Sequence, residues 1–490
     1  MGEGGVDHAR APGAAAARPR VGVLLVTSGW FREVGLQGAD SGTTRDVAKA
    51  GAALVEALSA FSDPVCDGVV FLPAEAEAAA RRMVAEQVDG VLLVPLMWCE
   101  DAIPLAALRI LAGLPVVLWT WSPGPSLPEF VPFQLMIQGS GPVCTMQLSG
   151  MLRREGIPYL TVAGHAQDPE TLRQVEWMVR AMAVRRALRG ARVGLLPFPC
   201  EHMSSTWVDE LGLRRRYGTE VRHLELERVR AAAAASANQA VREFREAVPR
   251  TGTRVEVDGN NLDEGIRYAL ALQRVMQEER LDALAMNDVI SQMHESFGMR
   301  PCLSNPVLSG GGAVVSMEGD VGAAVAMLAL RRFTGDSPFY TEPFSVDYAG
   351  GSLLMGHAGY HDPVNADPAV AVRVVADVEY ESSDRFTGAV TLFKYRPGPV
   401  TAVNSTWMDG SLKWCCVQGQ SMPGPARMEG NCHLVFRPSI PVRDFCTQAV
   451  DAGVSQHWVF VPGHRAREIA LLCAVLDIRL QRLDCGPVPG

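Results

Sequence analysis

Strand-length runs with almost no polar interruption, set between stretches of helical composition, constrain this chain more than any other feature. From Arg20 to about His165 the runs are RVGVLLVTS, DGVVFLP, DGVLLVPLMW, LPVVLWTW and IPYLTVAG, with RDVAKAGAALVEALSA and EAEAAARRMVAEQ between them. A strand that is apolar on both faces must be covered on both faces. Helices alternating with such strands achieve this in a doubly wound parallel sheet. Sites in such sheets form on the loops after the strands, which makes Trp98 and Gln134 candidate substrate contacts. GSG at 139–141 lacks the third glycine and the spaced acidic residue of a dinucleotide fingerprint, so no nicotinamide cofactor is expected.

Residues 168–339 repeat the alternation. The runs RVGLLPFP, LDALAMN and AVVSM are separated by alanine- and leucine-rich helices, and they are expected to line one sheet. From about residue 340 the period becomes two, in AVRVVADVEY, GAVTLFKYRPG, AVNSTWMDG, LKWCCVQGQ and NCHLVFRP, as in an antiparallel barrel. The expected fold class is thus α/β, with two doubly wound parallel-sheet domains (20–167 and 168–339) followed by a C-terminal antiparallel β-barrel-like domain (340–490). Residues 1–19, rich in Ala, Gly and Arg, read as a disordered tail without the apolar core of a signal peptide.

Chemistry-bearing residues concentrate in 311–362. The run AVVSM ends at Glu318 and Gly319, and VGAAVAMLALRRF then has helical composition with Asp320 placed to cap it. Glu342 lies 24 positions on, in the extended run PFYTEPFSVDY, and His357 lies 15 beyond that, closing the run GGSLLMGH. Two carboxylates and an imidazole at the ends of extended segments suit Mn²⁺, Mg²⁺, Co²⁺ or Zn²⁺. A glutamate after a strand also serves the orphan amides of a helix start, and a histidine among glycines also serves a turn. Spacing alone leaves both readings open.

Four blocks carry a resemblance: PCLSNPVLSGGGAVVSMEGDVGAAVAMLAL, the TG turn followed by the strand bearing Glu342, LLMGHAG, and QHWVFVPGH far downstream. Together they resemble the L-fucose isomerase and L-arabinose isomerase superfamily, loosely from residue 20 to 480, and GLLPFPCEHMSSTWVDELGLRRRYGTEV resembles its second domain. The resemblance implies a Mn²⁺ site, or one for a similar divalent cation, with Glu318, Glu342 and His457 as ligands and His357 as a fourth. Glu318 and Glu342 would also be the catalytic proton-transfer groups of an aldose–ketose isomerase acting on an open-chain sugar through a cis-enediol. It further implies a homo-oligomer, trimer or hexamer, in which the N-terminal domain of one subunit completes a neighbour's pocket. Asn431, beside His433 on NCHLVF, is a further candidate for contact with a carbohydrate or related carbonyl substrate. The N-terminal pocket residues do not match either family enzyme one for one. A metal-dependent hydrolase or lyase of an enolisable carbonyl compound, or a sugar-binding relative without catalysis, are therefore the alternatives.

Composition narrows the partners. A net charge of −9 argues against nucleic acid, and no apolar run reaches the ~18–20 residues of a membrane helix. Eleven cysteines scattered through apolar runs, with no CxxC pair, fit a reducing cytoplasm.

Overall fold

The structure is a computed structural model and describes residues 18–32, 42–250, 252–380 and 388–485. The expected disordered tail, Arg18 and Pro19 apart, lies outside the described residues. The chain divides into two compact units, one of 17–187 with 471–477 and one of 188–470 with the C-terminal residues from 478.

In the first unit the apolar runs form a parallel sheet in the order Asp63–Val65, Arg20–Val26, Gly90–Pro95, Val116–Thr120, Leu160–Ala163, with the short strand Val69–Val70 also paired to Arg20–Val26. Every residue of Gly90–Pro95 is buried, as a strand covered on both faces requires. Helix Pro73–Ala85 packs Ala76, Ala79, Ala80 and Met83 into the same core as Leu24, Val91 and Leu118.

The second unit contains a four-stranded parallel sheet and a barrel. The sheet runs Val314–Met317, Ala283–Met286, Arg192–Leu196, Glu220–His223, so the three apolar runs singled out in the sequence lie side by side. Helix Val321–Thr334 follows the edge strand. Asp320 caps its N-terminus by accepting a hydrogen bond from Ala323 N, and Gly335 ends it in the left-handed conformation. Eleven of its fourteen residues are buried, which explains a composition apolar on all sides.

Six antiparallel strands close the barrel, in the order Gly398–Met408, Trp458–Pro462, Phe339–Asp347, Ser352–His357, Cys432–Pro438, Ser411–Ser421 and back to the first. Strand Arg479–Arg482 adds to Ser411–Ser421 in parallel. Phe339, Met355, Phe436, Trp458 and Phe460 fill the barrel core. Two period-two runs assigned to the barrel from sequence lie elsewhere. Val390–Leu392 pairs with Arg373–Val375, which pairs on its other side with Arg254–Val255, in a separate three-stranded sheet. Alternation sets which face of a strand is buried but does not choose its partner, and here residues from before the barrel supply it.

A buried ion pair ties the connecting segment down. Lys394 Nζ donates to Asp367 Oδ2 at 2.9 Å, with the two side chains 1% and 6% exposed. Removing one partner strands the other charge in the interior. Lys394→Met is therefore expected to cost about 3–5 kcal/mol, measured by denaturant unfolding at neutral pH. A loss below 1 kcal/mol would contradict this role for the pair.

Candidate metal centre

The turn after Val314–Met317 is unusual backbone. Glu318 and Gly319 both have positive φ, 59° and 69°. Gly319 is required twice over, because a Cβ there would also meet Phe198 O and Pro199 Cα, each at 3.0 Å. Glu318 has a side chain in that region, a conformation that costs about 1–3 kcal/mol and persists where its surroundings enforce it. Its amide donates to Asp288 Oδ1 at 3.0 Å, Gly319 N donates to Met286 O, and Ser316 Oγ donates to Asp320 O at 2.7 Å.

Three adjacent barrel strands bring the remaining residues. Thr341 pairs with Trp458 on one side and Glu342 with Gly356 on the other. Continuing those registers by one residue sets His457 opposite Glu342 and His357 opposite Thr341, the residue before it. Pro343 cannot donate to the ladder, and the pairing slips between Pro343 and Ser345. Tyr340, fully buried, packs its ring 4.8 Å from His357 and 4.7 Å from His457, and its hydroxyl donates to Met317 O at the start of the Glu318 turn.

Glu318, Glu342, His357 and His457 thus offer four donor atoms that all lie within 4.8 Å of one another. Both imidazoles are held through Nδ1. That of His457 donates to Asp320 Oδ2 at 2.8 Å, and that of His357 to Ala358 O at 2.6 Å. Both Nε2 atoms therefore face the carboxylates, at 2.9 Å (His457) and 3.7 Å (His357) from Glu318. His357 Nε2 is buried without a hydrogen-bond partner. A buried imidazole nitrogen without a hydrogen-bond partner, beside two carboxylates, is a donor that would serve a cation. Two hard oxygens and two imidazoles suit a divalent ion of the Mn²⁺ to Zn²⁺ series.

Charge is divided unevenly across the cluster. Burial acts to raise the Glu318 carboxyl, but the hydrogen bond from His457 and the charges of both histidines outweigh it and hold it below its ordinary value. Burial lifts Glu342, with Glu318 adding to the rise against the pull of His357. Burial also lowers His357, reinforced by the charge of His457. For His457 burial works downward, but Asp320 and Glu318 overcome it and raise the imidazole to about 9.

Of the other candidates, Asn431 is half-buried and outside this cluster, its carbonyl accepting from His433 Nδ1. His433 spends Nε2 on Arg427 N. In the first unit Trp98 lines a recess of about 430 Å³ with Trp30, Phe31, Glu100, Ile137 and Ser140, and donates from Nε1 to Gln147. Gln134 is exposed on the short helix Phe133–Gln138. Sequence inspection missed Asp288, the second bond of Asp320, and Gln456, whose amide donates to Glu318 Oε2 at 3.3 Å. For Gln456 the signal was its place directly before His457. No helix among the described residues is long and apolar enough to cross a membrane.

No protein-family model matches the chain. It is distantly similar to two sugar isomerases, the sulfoquinovose isomerases of Priestia aryabhattai and Priestia megaterium. Identity to each is 21% over 336 residues, covering 67% of this chain and 73% of the relative.

The raised His457 has a consequence for stability. A group whose folded pKa exceeds its ordinary value of 6.5 stabilises fully below that value, and the contribution fades as pH rises through about 9. In the presence of a chelator, the unfolding free energy from denaturant titrations is expected to fall between pH 6.5 and 9.5 by on the order of 3 kcal/mol. Asp320→Ala should flatten that slope and also remove the helix cap, worth about 1 kcal/mol. An unchanged slope in the variant would show that Asp320 does not hold the His457 proton.

Proposed function

We propose that this chain is a divalent-metal-dependent aldose–ketose isomerase acting on open-chain sugars through a cis-enediol, related to the L-fucose and L-arabinose isomerases. The convergence of two carboxylates and two Nδ1-anchored imidazoles, with one Nε2 left unpartnered, carries this proposal. The distant similarity to sulfoquinovose isomerases supports the sugar class and brings 6-sulfonated hexoses among the candidate substrates.

Glu318, Glu342, His357 and His457 would hold the ion. When bound it supplies positive charge that polarises a carbonyl and acidifies the adjacent hydroxyl. One carboxylate then takes the C2 proton and returns it to C1, and the other moves a proton between O1 and O2. A carboxylate that both neutralises the cation and transfers a proton must be held still, and the Glu318 turn meets that requirement. By the same resemblance, the active particle is proposed to be a homo-oligomer, trimer or hexamer, whose N-terminal domains, with Trp98 and Gln134, complete neighbouring pockets.

The test is aldose–ketose interconversion across a panel of aldoses, sulfoquinovose included, with Mn²⁺, with Mg²⁺ and with chelator. Turnover of at least one sugar is expected, abolished by chelation and restored by metal. Glu318→Gln and Glu342→Gln should each lower kcat by about 10²–10⁴-fold. A Glu318→Gln protein with unimpaired metal-dependent turnover would refute the assignment. Tight metal binding without turnover of any sugar would favour a hydrolase or lyase.

A further inference from the structure

Five described non-glycine residues have positive φ: Gln87, Arg280, Glu318, Asp409 and Asp477. Four of them are exposed, and only Glu318 is buried. An exposed turn residue can relax when its neighbours change. A buried one keeps this conformation where its surroundings enforce it, through packing and through bonds to its amide.

At Glu318 the holder is Asp288, two residues beyond the end of the neighbouring strand Ala283–Met286. Its Oδ1 accepts from Glu318 N at 3.0 Å. Its Oδ2 faces Arg300 Nη1 at 3.5 Å. Arg300 in turn grips Asp377 through two parallel hydrogen bonds of 2.7 Å and meets Glu379 at 2.8 Å. Asp288, Arg300 and Asp377 are 1%, 3% and 1% exposed. A planar guanidinium doubly bonded to one carboxylate is fixed in direction, and so it fixes the second carboxylate beside it.

We propose that Asp288 is a positioning residue for the metal centre. It holds the amide of Glu318 in the left-handed turn that directs the Glu318 carboxylate toward His357 and His457, with the Arg300–Asp377 pair fixing Asp288 from behind. The proposal rests on the cluster holding a divalent cation. It places the control of that cluster on a network outside the four donor residues, acting through the backbone amide of Glu318 itself.

The full-length protein, freed of metal, is titrated with MnCl₂ by calorimetry, and its thermal midpoint is recorded separately. Asp288→Ala leaves the Glu318 amide without its acceptor, and its Kd for Mn²⁺ is expected to rise about 10- to 100-fold at temperatures well below its midpoint. Asp288→Asn still offers an oxygen to the amide but turns its amino group against Arg300, so its Kd should fall between wild type and Asp288→Ala. If Asp288→Ala does not fold, Asp288→Asn carries the test, with a weakening of at least about threefold expected. A variant that folds with a lower midpoint and an unchanged Kd overturns the proposal, because its role is then structural only. A wild-type protein that binds no Mn²⁺ overturns the metal reading itself and this proposal with it.

Discussion

Everything in the candidate site depends on one turn. Between Met317 and Asp320 the backbone makes two left-handed steps, one of them at a buried glutamate. A sheet strand ends there and a buried helix begins, so the conformation is set by packing on both sides rather than by preference at the turn itself. The Glu318 carboxylate is thereby directed at the imidazoles rather than back along the helix start. Asp320 continues the device, with one oxygen capping the helix and the other holding His457. A single carboxylate thus couples the helix of the parallel sheet to the barrel strand that follows His457.

Barrel closure supplies the other half. The three strands that carry or adjoin Glu342, His357 and His457 are consecutive neighbours in the barrel, and antiparallel pairing brings the start of one and the end of another to the middle of the third. Side chains 115 residues apart in sequence, at 342 and 457, become neighbours through register alone. Tyr340 packs against both imidazoles and limits the directions their rings can take. The site is therefore built on strands and on a helix start, which position groups more accurately than loops do.

The apolar runs of both parallel sheets were legible because a strand covered on both faces leaves no room for polar residues. The helix from Val321 was legible from its composition and from Asp320 before it. Glu318, Glu342 and His357 stood out by their place beside turns and strand ends, and His457 through the family resemblance alone; the four lie together in the fold. Asp288 did not stand out, since a bond from its side chain to the amide of residue 318 depends on the register of two parallel strands, which no local pattern encodes. The same limit hid the separate sheet of Arg373–Val375 and Val390–Leu392, whose third strand comes from Arg254–Val255. Edge pairing is decided by what the finished topology leaves open.

Proton transfer by the two carboxylates is the central claim, and the position of a solvent label tests it most directly. The metal-loaded protein is incubated in D₂O with an aldose that it converts, and the ketose is examined by proton NMR before the back reaction becomes appreciable. Deuterium at C1 of the ketose is expected, since a carboxylate that carries the proton from C2 to C1 exchanges it with solvent in at least part of the turnovers. Complete retention of the original hydrogen at C1, with unlabelled ketose accumulating at full rate, would mean direct hydride transfer and would contradict the role given to Glu318 and Glu342.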